Sequence, residues 1–195
     1  MNNIDRFSGQ ERFTLNGIDT SAQVLDFWCW MGSDLNDNLI RAALGEFIVA
    51  TALGDSVVDE RRSGWRVFDI LTPYGCKIEV KTSAYRQVWK QRKPSSLVFD
   101  VAQKIDWENG SNAPRRHADV YVFCVFNNEQ DVASPLDLEA WDFYVAATAD
   151  MDVILGEQKT ATLAALKKRL PLRATGYTGL AMAIFDTYRS IGGME

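Results

Sequence analysis

The chain predicts an α/β sandwich, α/β/α in layering, around a central mixed sheet, and three observations predict it. At 195 residues and 47% hydrophobic, it is long enough to bury one well-formed core. A long helical run comes first, then a strand pair closed by a tight turn, then a further strand across a long connection, and helices at the end. That order suits a sheet holding both an antiparallel pair and a crossover. No repeat, low-complexity tract or linker divides the chain, so residues 1–195 read as a single domain.

Met1 to Asn16 reads as a polar arm. Ser21 to Met31 reads as a helix whose Phe27, Trp28 and Trp30 belong to the core. A second helix spans about Leu35 to Leu53, with Ser33 and Asp34 as capping candidates. Strands are expected near 65–71, 76–82, 96–101, 119–126 and 142–148, with Pro94 and Gly110 to Pro114 as punctuation. Gly156-Glu-Gln-Lys159-Thr160 carries the tail of a P-loop without its glycine spacing and reads as a helix start. Ala161 to Leu170 and Gly179 to Ser190 complete a helical tail over 150–195.

The strand pair carries the chemistry. Asp69-Ile-Leu-Thr-Pro-Tyr-Gly75-Cys-Lys-Ile-Glu79-Val-Lys81 places Pro73-Tyr74-Gly75 between two apolar-rich runs. Proline suits the first turn position and glycine the left-handed one, as a three-residue hairpin loop requires. That loop pairs Thr72 with Cys76 and hence Asp69 with Glu79. Alternation adds Lys81 to their face and sends Phe68, Ile70, Ile78 and Val80 to the other. Opposed carboxylates repel unless a divalent cation lies between them, and hard cations such as Mg²⁺ are held by one or two carboxylates plus phosphate oxygens. A lysine beside them can orient or deprotonate an attacking water. The alternative is an exposed face of mixed charge stabilised by Lys77 and Lys81.

Glu46 lies in the middle of an apolar helical stripe formed by Leu39, Ala42, Ala43, Val49, Ala50 and Leu53. A carboxylate there needs a cation, a donor or a proton. A third acid beside a metal site accounts for it; a buried ion pair with an arginine is the competing account.

A helix bearing a glutamate, followed by Asp69, then Glu79-Val80-Lys81 on a paired strand and the strand Asp119 to Phe126, resembles the PD-(D/E)xK nucleases, the restriction-endonuclease-like superfamily. The resemblance covers about Leu39 to Phe126. It implies a restriction-endonuclease-like fold, with Asp69, Glu79 and the Val80 carbonyl as Mg²⁺ ligands and Mn²⁺ as a substitute. Lys81 would act on the water and Glu46 would hold the metal or its waters. The chain departs from the pattern at Phe68, where a proline that varies widely in the superfamily would stand.

The net charge of −5 conceals a segregation. Residues 1–60 hold 3 basic and 10 acidic side chains, residues 61–104 hold 10 and 3, and residues 105–195 hold 8 and 13. Positive charge therefore concentrates around the site, as a phosphate-binding surface requires, through Arg61, Arg62, Arg66, Arg86, Lys90, Arg92 and Lys93. Ser83, Arg86, Gln87, Lys90, Arg92 and Lys93 are the nucleic-acid-binding candidates; Gln87 suits a water or a phosphate, whereas Trp89 reads as packed on the core. Asp119 reads as a turn cap.

Other chemistries are narrowed out. His117 is the only histidine, stands in a polar stretch that reads as solvated loop, and has no GxSxG elbow for a triad. Cys29, Cys76 and Cys124 lack metal spacing and read as small buried hydrophobes in a reducing cytoplasm. No segment has the layout of a signal peptide or the apolar length of a membrane span. The sequence thus favours a Mg²⁺-dependent deoxyribonuclease of the cytoplasm, with DNA as partner, no membrane, and room for a homodimer. Competing classes are a non-cleaving nuclease-fold module that binds nucleic acid or protein, and an acidic interaction protein whose hairpin charges are incidental.

Overall fold

The computed structural model describes residues 6–54, 57, 66–107, 110, 113–129 and 133–193. Arg61 and Arg62, and the start of the strand expected at 65–71, lie outside them. In chain order the described elements are β1 (Arg12–Leu15), β2 (Ile18–Gln23), α1 (Val24–Gly32), α2 (Asn38–Leu53), β3 (Ile70–Leu71), β4 (Lys77–Ala84) and β5 (Val98–Asp100). They continue with β6 (Val120–Phe126), a 3-10 turn (Leu138–Ala140), β7 (Trp141–Ala147), α3 (Thr148–Leu155), β8 (Thr160–Thr162), α4 (Leu163–Arg169), β9 (Ala174–Thr175) and α5 (Tyr177–Ser190).

Five strands form the central sheet in the order β3-β4-β6-β7-β9. Only β4 and β6 run parallel, in register from Ile78↔Val120 to Ala84↔Phe126; every other neighbouring pair is antiparallel, so the sheet is mixed as expected. All seven residues of β6 are buried, the mark of a strand covered on both faces. Alternation divides the apolar residues between two clusters. Ile78, Val80, Val122 and Phe143 pack beneath Ile48 and Val49 of α2 and Leu180 and Ile184 of α5. Tyr121, Phe123 and Tyr144 point the other way, onto Phe99, Met151 of α3 and Leu166 of α4. Helices thus cover both faces of one sheet.

Several expectations are corrected. The N-terminal arm is a β1–β2 hairpin closed by Asn16-Gly17, both at positive φ (52° and 78°). The α1 aromatics are not core: Trp30 is 84% exposed, and Phe27, Trp28 and Cys29 are also exposed. The cap of α2 is Asp37, whose side chain accepts from Leu39 N and Ile40 N, three residues beyond the expected Asp34. Gly156 ends α3 instead of starting a helix, because its φ of 53° suits a C-terminal cap. Trp89 is exposed. Phe68 leaves the Ile70 face and packs on the opposite cluster, since 66–69 is a bend and alternation begins only at Ile70.

Candidate active site

The Pro73-Tyr74-Gly75 turn forms as its residues demand. Thr72 N–H donates to Cys76 O, Gly75 N–H to Thr72 O, both at 2.9 Å, and Gly75 takes φ 88°. The register that follows is Leu71↔Lys77 and Ile70↔Ile78, where the regular pairing ends, with Asp69 and Glu79 next on the two strands. There the strands part. Asp69 N–H donates to Ile78 O, and the Asp69 Oδ2 accepts the Val80 N–H at 2.7 Å. A side chain thus replaces the missing strand partner of β4. Because one residue's N–H and C=O share a strand edge, the Val80 carbonyl faces the same opening.

Glu79 and Lys81 stand on the opposite side of β4 from Ile78 and Val80, above Tyr121 and Phe123 in the parallel register. Glu79 is buried, 1% exposed, over this aromatic floor. Its Oε1 receives two ammonium groups, Lys81 Nζ at 2.6 Å and Lys104 Nζ at 2.6 Å. Burial alone would push a lysine down, but Glu79, then Asp69 and Asp100, hold Lys81 above its ordinary value. It is therefore an ammonium at neutral pH, a donor and not a base.

Glu46 is half-buried on α2, on the other side of the strand, and its charge reaches Asp69. The approach is enabled by Gly45: a Cβ there would lie 2.1 Å from Thr82 Oγ1, so only glycine lets the helix sit this close to β4. Burial first, then the like charges of Glu79 and Glu46, push the Asp69 carboxyl up to about 6, against the Val80 hydrogen bond and Lys81. Asp69 thus gathers the fields of Glu79, Glu46 and Lys81, and Lys81 those of Glu79 and Asp69, in one electrostatic cluster centred on Asp69.

Lys104 is a site residue that the sequence reading missed. It lies at the end of the basic block and has no periodic signal, since it is presented by an isolated bridge, Lys104↔Arg115. His117 secures that bridge: Arg115 Nε donates to its Nδ1 at 3.2 Å, leaving Nε2–H to donate to Lys104 O at 2.8 Å. The histidine is an anchor, not the solvated residue expected. Asp119 joins strand ends: its Oδ2 accepts Lys77 N–H and its N–H donates to Lys77 O, both at 2.8 Å.

The six nucleic-acid-binding candidates separate into two groups. Lys90, Arg92 and Lys93 are exposed. Ser83 is buried on the Glu79 face, and Arg86 Nε donates to Glu129 O. Gln87 Oε1 accepts from the buried Arg41, while its Nε2 donates to Ala84 O, so it braces α2 against the end of β4.

No helix among the described residues is long and apolar enough to cross a membrane. No curated protein and no solved structure matches the chain. A family model does, the one described as Bacteriophage T4 endonuclease IV, over residues 2–159. That span contains β1 to α3 and every residue of the cluster above. The chain belongs to the bacteriophage T4 endonuclease IV family.

Proposed function

We propose that this nuclease hydrolyses DNA phosphodiester bonds with Mg²⁺ at the Asp69/Glu79 centre, on a restriction-endonuclease-like arrangement of the PD-(D/E)xK kind. The observation that carries the reading is the meeting of Asp69, Glu79 and Lys81 where β3 leaves β4, in a member of an endonuclease family.

The donor set fits a hard dication in kind. Asp69, Glu79 and Glu46 are oxygen donors whose mutual repulsion, seen in the raised Asp69 carboxyl, a cation would relieve. Among the described residues no three His, Cys, Asp or Glu gather closely enough to hold an ion unaided. Asp69, Glu79 and the Val80 carbonyl would therefore hold it, with Glu46 acting at longer range and phosphate oxygens and water completing the shell. When bound, Mg²⁺ supplies Lewis acidity, stabilising charge on the phosphate and acidifying water. Lys81, held as an ammonium, and Lys104, paired with the same carboxylate, donate hydrogen bonds to the anionic phosphate or orient the attacking water. Lys90, Arg92 and Lys93 add phosphate contacts outside the centre.

A second reading, a non-cleaving nucleic-acid-binding module, is favoured by one observation: Glu79 Oε1 is paired with two lysines at once. A supercoiled-plasmid assay separates the readings. Cleavage should require Mg²⁺ or Mn²⁺, stop with EDTA, and vanish in Asp69→Asn with DNA binding retained. Salt-dependent binding that Lys90→Glu/Arg92→Glu weakens, with no cleavage under either metal, would establish the module.

A further inference from the structure

Residues 6–32 fold without a core of their own. Not one residue of β1, β2 or α1 is buried. The segment is nevertheless held by polar bonds. The Glu11 carboxylate accepts from the N–H groups of Ser8 and Gly9, while Val24 N–H and Leu25 N–H return to Glu11 O and Gly9 O, both at 2.9 Å. This fixed scaffold turns apolar side chains outward, among them Phe13 (48% exposed), Leu15 (69%), Ile18 (73%), Leu25 (51%) and Trp30 (84%). Summed over these and Phe7, Phe27, Trp28 and Met31, which stand on more than one side of the segment, the exposed apolar area is on the order of 1,000 Å², given that an aromatic side chain alone offers roughly 150–250 Å². A standard stable interface takes about 800 Å² from each partner. A two-stranded hairpin with little packed on it is marginal in water, and neither β1 nor β2 has a buried residue, so the segment would gain from a cover.

We propose that the cover is a second copy of this chain, hairpin and helix against hairpin and helix across a two-fold axis. The area matches what such a dimer needs, and a two-fold contact requires only that the patch complement itself. Its charge permits that: Arg6 and Arg12 stand against Glu11, Asp19 and Asp26, so two copies meet with little repulsion. The same charges argue against other occupants. A polyanion would need a cationic surface, and an anionic membrane would need basic residues beside the apolar face, whereas α1 has no basic residue. The inference stands independently of the nuclease reading, because it uses none of the site residues.

Sedimentation velocity on the full chain tests it. The wild type should run at twice its 21.9 kDa at high micromolar concentration. Ile18→Glu/Trp30→Glu should raise the dissociation constant by roughly 100-fold or more, because two charges would enter the centre of the interface. The far-UV spectrum should not change, since both residues are exposed in the single chain. Hydrogen exchange on the unaltered protein gives a second reading that does not depend on the variant folding: amides of 12–32 should gain protection with concentration while those of β6 do not. A wild type that stays monomeric, a double variant that dimerises as well as the wild type, or hairpin protection independent of concentration would each overturn the proposal.

Discussion

The two hairpins of this molecule are built by the same rules and lead to opposite consequences. β1–β2 turns through Asn16-Gly17 and β3–β4 through Pro73-Tyr74-Gly75, and each turn places its left-handed residues where glycine or asparagine tolerates them. Register follows from the turn in both. Cover is what differs. β4 lies under α2 and beside β6, so the polar groups of its hairpin are desolvated, and burial followed by the charge of Glu79 raises the Asp69 carboxyl. β1–β2 lies under nothing that buries it, and its apolar groups remain in water. Acidic side chains on a covered hairpin point to chemistry, whereas apolar side chains on a bare one point to a partner.

The largest effect that could break this contrast lies at the covered hairpin. Asp69→Asn or Glu79→Gln should lower the cleavage rate roughly 1,000-fold or more, because a metal-assisted centre supplies several kcal/mol of transition-state stabilisation. A single-turnover assay at saturating DNA measures it, and a loss below tenfold would make these acids bystanders. The cover itself comes next. Gly45→Ala puts a Cβ 2.1 Å from Thr82 Oγ1, so α2 must move off β4. Overpacking of this kind should cost about 1–3 kcal/mol by urea unfolding. It should also lower cleavage by withdrawing Glu46, and unchanged values of both would mean that the helix does not depend on its close approach.

How much of this was legible follows the same division. The Leu71↔Lys77 and Ile70↔Ile78 register could be read because turn chemistry is local, and the structure returns it, whereas the alternation expected through Phe68 is interrupted by the bend at 66–69. The layering was legible too, since the apolar strand at 120–126 can only be a buried one. Lys104 was not, because its position depends on an isolated bridge and a histidine anchor that no periodicity announces. The α1 aromatics misled, since helical spacing of large apolar residues reports a stripe but not what covers it. Asn16-Gly17 was a strong hairpin signal at the end of the stretch read as a polar arm, Met1 to Asn16; weighing composition over the dipeptide hid it. The short α3 escaped because Thr148–Leu155 follows β7 directly, with no break between strand and helix.

A third test uses protons. Folding raises the Asp69 carboxyl from 3.8 to about 6, so between those values the folded chain binds more protons than the unfolded one. The sign follows: this group favours the fold below about pH 4, and that contribution is lost as pH rises through about 6. Asp69→Asn should therefore stabilise the metal-free protein at pH 7 by roughly 1–3 kcal/mol, with the gain shrinking towards pH 4. Denaturant curves of both proteins across that range measure it, and a gain that does not change with pH would refute the desolvated-acid reading. Adding Mg²⁺ should shrink the gain at pH 7 by stabilising the wild type alone.

The smallest effect compares the two turns directly. Gly75 and Gly17 hold φ 88° and 78°, and neither position is crowded: the nearest atom to an added Cβ at Gly75 is Tyr188 Oη at 3.8 Å, and at Gly17 nothing lies within 4 Å. Alanine at either therefore pays backbone strain alone, about 1–2 kcal/mol. At Gly75 the strain enters the cooperative core, because the turn fixes β4, whose Ile78 and Val80 belong to the cluster beneath α2 and α5, so Gly75→Ala should lower the global unfolding free energy by that amount. At Gly17 the strained element has no buried residue of its own, so the same change should leave global unfolding unaltered and appear only as faster amide exchange in residues 12–23. Measured at low concentration, where a dimer has dissociated, equal global losses would show that the N-terminal hairpin belongs to the same cooperative unit as the sheet. Measured at high concentration, Gly17→Ala should also weaken association, because the turn positions Leu15 and Ile18. Failure to do so would leave the bare hairpin without the role assigned to it here.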